Sequence, residues 1–550
     1  MVYISGFIVA MLLTMVFIPP VKQMGYHFGL IDVPNQRKVH QVPIPRVGGV
    51  AMILGATVPL VLWLTIGAAL SSYLLGATLI IVFGILDDAY DLNFKLKFLV
   101  QIAAAIVVAL YGDIQITHFS LLGQGIVLPP LFSIPLTVFF ILAVVNAVNF
   151  ADGLDGLAGG IALLSLIALA GFAYDAGARD VVLISVVLTG SVMGFLLFNS
   201  HPAQIFMGDG GSQFLGFSIA VMSIYLTQRE GAQLSAFLPL LIVGMPLIDL
   251  VYVVTSRKLQ GKSFFLPDKS HIHHQLLHAG LRQYGSVFVI YLLQSTIVVT
   301  ALVFRNEGDT FVLGLFLLFL ASISLFVKLT ALRGGLPGAG LINRLMYGPV
   351  RRMRVVVKRN HLPAVARNTA TIAIVAYLVL GTLVLHEVSF EVGIIAAGLW
   401  SLFFVMRPRQ VTEKLSGWFI RFIYYLTASG VLFLMYTSPE IFDVYRLGIK
   451  VFFSILAVVI FIAIEYSGDK RLEARPIDFL VVTTALILPG VVGLSDIDQV
   501  YWLVAAHLLV LFYGVELVLL SYRDSARVNL IQYLYTAPLL VLAVRGLSGF

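Results

Sequence analysis

The chain contains no cysteine, so neither a disulfide framework nor a thiolate metal site is open to it. Charge is scarce as well: Asp, Glu, Lys and Arg make up 11% of the 550 residues, against 59% hydrophobic. That balance excludes an ordinary soluble domain, in which about a quarter of the residues are charged. In place of charge there is a succession of apolar runs of membrane-spanning length, which predicts an all-α polytopic membrane protein. Acid is scarcer than base, 28 residues against 35, a formal net charge of +7. The surplus basic residues cluster between apolar runs, as in cytoplasmic loops, so no nucleic-acid partner is expected. The first run, Val2 to Pro20, lacks a charged start and a small-residue cleavage site and reads as a retained helix.

Taken in order, the runs predict about eleven membrane helices up to residue 330. The first is expected to stop at Pro19-Pro20, because proline lacks the ladder N–H. Pro129-Pro130 and the alternating residues from Gly112 to Ser133 suggest an external hairpin, and Ala236 to Val254 reads as one helix. Alternation then places five polar segments on one face: Asp32 to Gly49, Asp87 to Lys97, Asn146 to Ala158, Asn199 to Gln213 and Ser256 to Tyr284. Arg37, Lys38 and Arg46 mark that face as cytoplasmic. From Lys328 to Arg367 nine Lys or Arg occur without an acid, which reads as an amphipathic linker on an anionic leaflet. Six or seven more apolar runs follow, beginning near Ala370, Val392, Phe419, Val451, Phe479, Trp502 and Leu530. The expected division is 1–330, a basic linker 331–367, and a membrane extension 368–550.

Polar residues at the ends of membrane helices are costly unless they work. Asn146, Asn149, Asp152 and Asp155 recur every third residue, with Gly153 and Gly156 free to unwind the backbone between them. Asp87-Asp88 is a pair of adjacent carboxylates, which suits a cation or an added proton, and Lys95 and Lys97 suit a phosphate. Asp209 sits in a Gly-rich turn three residues after Phe206. The spacing of His271, His273 and His274 is poor for zinc, so they are expected as donors to phosphate oxygens, while the carboxylates and amides suit Mg2+ or Mn2+. Together these groups describe a diphosphate-handling site beside lipid.

These segments, in order, resemble the polyprenyl-phosphate N-acetylhexosamine-1-phosphate transferases, the family of WecA, TarO and MraY. The resemblance rests on Arg37-Lys38-x-His40 with Pro43, Pro45 and Gly48-Gly49; Asp87-Asp88 with Asp91 and Lys97; Asn146-x-x-Asn149-x-x-Asp152-Gly-x-Asp155-Gly-Leu-Ala; Asn199 through Phe206-Met-Gly-Asp209-x-Gly-Ser; and His271-Ile-His-His274. It covers residues 1 to about 330. The family implies that undecaprenyl phosphate attacks the sugar-linked phosphorus of a UDP-amino sugar and releases UMP, at the cytoplasmic face of a bacterial inner membrane. By position, Asp209 is implied as Mg2+ ligand with Asn149 as a second, and Asp87, Asp88 and Lys97 as handlers of the lipid phosphate, with Asp87 a hypothetical general base. Asn199, Phe206 and Asp155 are implied at the uridine end, and His271, His273 and His274 at the diphosphate and sugar. Asn146 and Asp152, with Arg37, Lys38 and His40, complete the expected substrate-binding set.

The His-Ile-His-His form is similar to the WecA and TarO branch, which implies UDP-N-acetylglucosamine; UDP-MurNAc-pentapeptide or a 6-deoxy sugar are the alternatives. The second half departs from the family, and a lipid-linked-sugar transporter is the rival reading. It would require charged or broken helices at mid-membrane there, where Glu465, His507 and Glu516 are the candidates. A homodimer is left open.

Overall fold

The computed structural model describes residues 2–34, 42–229, 233–261, 270–336, 338–340, 343, 362–385, 387–406, 413–466, 496–521 and 528–548. They fall into two compact units, one built on Met1–Met346 and the other on Tyr347–Ala474 and Val481–Phe550. Among the described residues the first unit holds α1 (Val2–His27), α2 (Gly48–Trp63), α3 (Ala68–Tyr90), α4 (Phe94–Tyr111), α5 (Pro130–Ala151), α6 (Leu157–Asp175), α7 (Arg179–Asn199) and α8 (Gly208–Gln228). These are followed by α9 (Leu238–Val243), α10 (Met245–Leu259), α11 (Ile272–His278), α12 (Gln283–Val303) and α13 (Asp309–Leu332). With α9 and α10 taken as one interrupted pass and the short α11 set aside, eleven helical passes result, as expected. Across the described residues nine helices are both long and apolar enough to cross a membrane, and the chain is an all-α multi-pass membrane protein.

The strands are two short antiparallel ribbons. β1 (Ile31–Asp32) pairs with β2 (Ile44–Pro45), and β3 (His118–Leu121) pairs with β4 (Gln124–Val127) in the hairpin expected between α4 and α5. Gln228, at the far end of α8, fixes that hairpin by accepting from the N–H groups of Thr117 at 2.9 Å and His118 at 3.1 Å. Asp309 accepts from Ser120 N–H at 2.6 Å.

Helix α8 is the centre of the unit, packed by α2, α3, α5 and α6 and buried along most of its length. Its Gly and Ser residues make it the least lipid-like of the long passes, which matters little for a helix that meets protein on every side. Its first turn is where the neighbours come closest. A Cβ on Gly84 of α3 would overlap the Cα of Gly210, and one on Gly49 of α2 would overlap the Cα of Gly211. Side-chain-free backbone at those four positions brings the ends of α2 and α3 onto the start of α8.

Two departures from the sequence expectation have physical causes. Helix α1 runs through Pro19 and Pro20 to His27 instead of ending at them. The rings supply a helical φ and cost two ladder bonds, and packing of α1 against α2 and α7 offsets that loss. The apolar run Ala236 to Val254 is interrupted at Gly244, which adopts φ 46°, ψ −104° between α9 and α10. The orphaned groups are met by Gln294, fully buried on α12: its Oε1 accepts from Met245 N–H at 2.9 Å, and its Nε2 donates to Ile242 C=O at 3.0 Å and Ser165 Oγ at 3.2 Å. Periodicity cannot reveal such a break, because the partner that stabilises it lies about fifty residues away.

In the second unit the described helices are α14 (Leu362–Val384), α15 (Phe390–Met406), α16 (Glu413–Thr437), α17 (Pro439–Tyr466), α18 (Asp496–Ser521) and α19 (Val528–Ser548). They match six of the seven expected runs; the run near Phe479 and most of the basic linker lie outside the described residues. Of the polar groups that a transporter would use, Glu516 accepts a hydrogen bond from Tyr425 and His507 Nδ1 lies 2.6 Å from Tyr436 Oη, with the His507 ring stacked on Phe453 at 4.0 Å. The Glu465 side chain is outside the description.

Replacing Gln294 by Leu strands the Met245 N–H and the Ile242 carbonyl in a dry interior, at a cost of about 2 kcal/mol. Thermal unfolding in detergent is expected to show a clearly lowered midpoint for Gln294→Leu; an unchanged midpoint would mean that the interruption at Gly244 holds itself.

Candidate active site

The site begins where α3 ends. Asp91 takes the left-handed conformation that closes a helix, donating its N–H to Asp87 C=O at 2.9 Å, and Asn93 caps α4 by accepting from Lys95 N–H at 3.0 Å. The chain reverses in this short turn, and one turn into α4 the Lys97 ammonium returns to α3. Its Nζ lies 2.6 Å from Asp87 Oδ2 and 3.6 Å from Asp209 Oδ2. The Asp87 side chain is 3% exposed and that of Asp209 is 39%, so Asp87 is the buried anchor and Asp209 the carboxylate facing open space. Asp87 Oδ1 accepts from Leu92 N–H at 2.9 Å, while Oδ2 is buried and accepts no aligned hydrogen bond, its contact with Lys97 being one of charge.

Asp88 does different work. Its carboxylate accepts from Asp209 N–H at 3.0 Å and Gly210 N–H at 3.2 Å, the unpaired donors at the start of α8, where the helix dipole also favours an anion. Asp209 is thus held through its backbone by Asp88 and through its side chain by Asn149, whose Nδ2 donates to Asp209 Oδ1 at 3.2 Å and to Ser212 Oγ at 2.9 Å. An amide ligates a cation only through oxygen, so Asn149 as placed braces Asp209, and the ligand role expected for it needs the amide turned over. Asn146 lies one turn deeper and points into the bundle: it donates to Gln101 Oε1 at 2.8 Å, and Gln101 in turn to Gln213 at 3.1 Å, tying α5 to α4 and α8.

Beyond α5 the backbone unwinds as the glycines suggested. Asp152 closes the helix, and its carboxyl is pushed up to about 7, first by removal from water and then by the Asp209 and Asp88 carboxylates, with Arg46 opposing. Asp155 Oδ2 lies 2.6 Å from His201 Nδ1 and accepts from Ala203 N–H at 3.1 Å. Asn199, fully buried, accepts from Gly156 N–H at 3.0 Å and donates to Ile205 C=O at 2.9 Å, fastening the two loops together. Phe206 is fixed by its backbone: its N–H donates to Pro45 C=O at 2.8 Å and its C=O accepts from Gly48 N–H at 2.8 Å. His201 was not singled out from sequence, although it stands two residues from Asn199; Tyr284 donates to its C=O at 3.0 Å.

The histidines form a wall against the end of α5 and the Gly153 turn, at the start of α11 rather than on a loop. His273 is buried, and it fits only because residue 153 is glycine: a Cβ there would overlap its ring. Burial, followed by the neighbouring His274, pushes His273 down to about 3, with Asp249 opposing, so this ring is neutral. Its ring centre lies 4.3 Å from that of His274 and 5.7 Å from that of His271. His271 Nδ1 lies 2.8 Å from Asp249 Oδ2 on α10, a residue not singled out from sequence. Arg37, Lys38 and His40 lie outside the described residues.

Among the described residues no three His, Asp or Glu side chains gather as a ready metal cage. The donor set nonetheless fits Mg2+. That ion is commonly held by one or two carboxylates plus phosphate oxygens and water, and here an open carboxylate, Asp209, stands beside a buried Asp87 oxygen that lacks a hydrogen bond.

A family model described as glycosyl transferase family 4 matches residues 70–227, which include every group of the carboxylate cluster. The chain is 36% identical over 360 residues, 65% of its length and 98% of the relative's, to a "Probable undecaprenyl-phosphate N-acetylglucosaminyl 1-phosphate transferase" of Bacillus subtilis (strain 168). It is 34% identical over 343 residues, 56% of its length and 85% of the relative's, to a "Decaprenyl-phosphate N-acetylglucosaminephosphotransferase" of Mycobacterium tuberculosis. It is 31% identical over 303 residues, 54% of its length and 81% of the relative's, to an "Undecaprenyl-phosphate alpha-N-acetylglucosaminyl 1-phosphate transferase" of Salmonella typhi. With a relative matched at this identity over nearly its whole length, the chain belongs to glycosyl transferase family 4.

Proposed function

We propose that this protein transfers N-acetylglucosamine 1-phosphate from UDP-N-acetylglucosamine to undecaprenyl phosphate, releasing UMP, at the cytoplasmic face of a bacterial inner membrane. The observation that carries this reading is the meeting of Asp87, Lys97 and Asp209 at the ends of membrane helices, 2.6 and 3.6 Å apart through the ammonium. A cation-bearing carboxylate cluster there meets a lipid phosphate at the depth where a bilayer presents it. The relatives named for this reaction supply the sugar and the lipid.

In this mechanism Asp209 and Asp87 would hold Mg2+, which supplies charge neutralisation for the diphosphate. Lys97 pairs with the lipid phosphate and is itself aimed by Asp87. A phosphate monoester is largely deprotonated near neutral pH, so the acceptor is already a nucleophile and Asp87 serves mainly to orient it. Asp87 Oδ1 is taken by Leu92 N–H, and Oδ2, which accepts no hydrogen bond, faces the Lys97 ammonium, an arrangement that favours holding positive charge over proton abstraction. Asp88 keeps Asp209 on its helix start. Asp155 with His201, and Phe206 with its pinned backbone, receive the nucleotide, and the histidine wall receives the diphosphate and sugar. The described cleft lies wholly within the first unit, and the Bacillus subtilis relative is matched over 98% of its length by 65% of this chain. We therefore assign transfer to residues 1–330 and an auxiliary role to the extension after the basic linker.

The direct test is UMP release by the purified full chain from UDP-N-acetylglucosamine and undecaprenyl phosphate. Activity is expected with Mg2+ and lost with EDTA, and absence of UMP release with any UDP-sugar would overturn the reading. Asp87→Asn and Asp209→Asn are each expected to lower turnover by about 100-fold or more, and Asp88→Asn, which keeps one acceptor for the α8 N–H groups, by about tenfold. Equal losses at all three would show that Asp88 is a reagent and not a support. Gly153→Ala, by displacing the His273 ring, is expected to raise KM for the UDP-sugar by about tenfold with a smaller change in kcat. An unchanged KM would remove the histidine wall from donor binding.

A further inference from the structure

Asp249 is an acid in an apolar helix, 8% exposed, and outside every motif that carries the site. A buried carboxylate in a membrane bundle is costly unless each oxygen is used. Both are used here, and both on the histidine wall. Oδ2 lies 2.8 Å from His271 Nδ1, and Oδ1 accepts from Ile272 N–H at 2.7 Å, one of the unpaired donors at the start of α11. The same carboxylate therefore seats the backbone that begins the wall and orients its first ring.

The placement of Asp249 follows from the interruption at Gly244. Were Ala236 to Val254 one straight helix, Asp249 would continue the direction of α9; the break, closed by Gln294, starts α10 anew. The new helix packs against α5, whose end carries Asn149 and Phe150. Phe150 lies 5.6 Å from His271 ring to ring, so the His271 ring stands beside the last turn of α5, which also carries Asn149, the brace of Asp209.

We propose that Asp249 is a positioning residue for transfer: it fixes His271 with Nδ1–H toward the carboxylate, which leaves Nε2 as the nitrogen that meets the diphosphate of the UDP-sugar. A carboxylate partner sets the tautomer of the ring it holds, so that Nδ1–H faces Asp249 and Nε2 faces outward. An amide in its place keeps the cap on Ile272 N–H but offers Nδ1 a donor instead of an acceptor, which forces the opposite tautomer. The proposal rests on the transferase reading above.

Asp249→Asn, His271→Ala and the double variant, all in the full chain, test it through kcat, KM for UDP-N-acetylglucosamine and thermal unfolding in detergent. Asp249→Asn is expected to unfold near the wild-type midpoint yet lose 10- to 100-fold in kcat/KM, a loss that vanishes when His271 is already Ala. Should Asp249→Asn fold poorly, Asp249→Ser, which retains an oxygen for Ile272 N–H, takes its place in the same cycle with the same expectation. A loss that persists undiminished in the His271→Ala background, or wild-type activity in Asp249→Asn, would overturn the proposal. The two readings fail differently: a wild-type chain that releases no UMP from any UDP-sugar overturns the transferase reading, whereas an active wild type with additive losses overturns only the role of Asp249.

Discussion

Three carboxylates, Asp87, Asp88 and Asp209, are brought to one place by backbone contact between α3 and α8, and the rest of the site is arranged around the repulsion this creates. Two unit charges about 4 Å apart repel by roughly 4 kcal/mol near a protein surface, so none of the three can stand unattended. Asp88 is satisfied by two N–H groups at the start of α8, and Asp87 by Leu92 N–H and the Lys97 ammonium. Asp209 keeps an exposed carboxylate with Lys97 at 3.6 Å. One ammonium shared by two carboxylates leaves a negative balance at these helix ends, which the divalent cation of the proposed reaction would offset.

The contact that imposes this balance is built from glycine. Gly84 against Gly210 and Gly49 against Gly211 let helices touch backbone to backbone, within a turn of Asp87, Asp88 and Asp209. The Gly-Gly pair after Asp209 is thus a packing device before it is a ligand-binding one. A second tier of buried polar groups holds the passes in register: Asn146 with Gln101 and Gln213, Asn199 across two loops, and Gln294 at the interrupted pass. Each of these groups has a hydrogen-bond partner in the interior, which is the condition for keeping polar side chains in a membrane bundle.

Much of this was legible in the chain because the motif residues sit at helix ends, where a polar cluster beside an apolar run needs a reason. Counting passes alone led to the expectation that residues 32–49, 87–97, 146–158, 199–213 and 256–284 share one membrane face, and their combined chemistry to that of a common site. The division of labour within the motifs was not legible. Asn146 and Asn149 share a spacing, yet one points into the bundle and the other to Asp209, because the helix turns by about 100° per residue and the row spirals off the cleft. Asp249 and Gln294 were invisible for another reason: each acts on a partner distant in sequence, and a lone polar residue in an apolar run carries no local pattern. Pro19-Pro20 misled because a proline rule drawn from isolated helices gives no weight to the packing that α1 gains from α2 and α7.

The central claim is that the sugar leaves its nucleotide together with a phosphate. UDP-N-acetylglucosamine carrying 32P at the sugar-linked phosphorus, incubated with the full chain, Mg2+ and undecaprenyl phosphate, decides it. The account predicts label in the lipid product and unlabelled UMP in the aqueous phase; label recovered as UDP, with the sugar alone on the lipid, would contradict it.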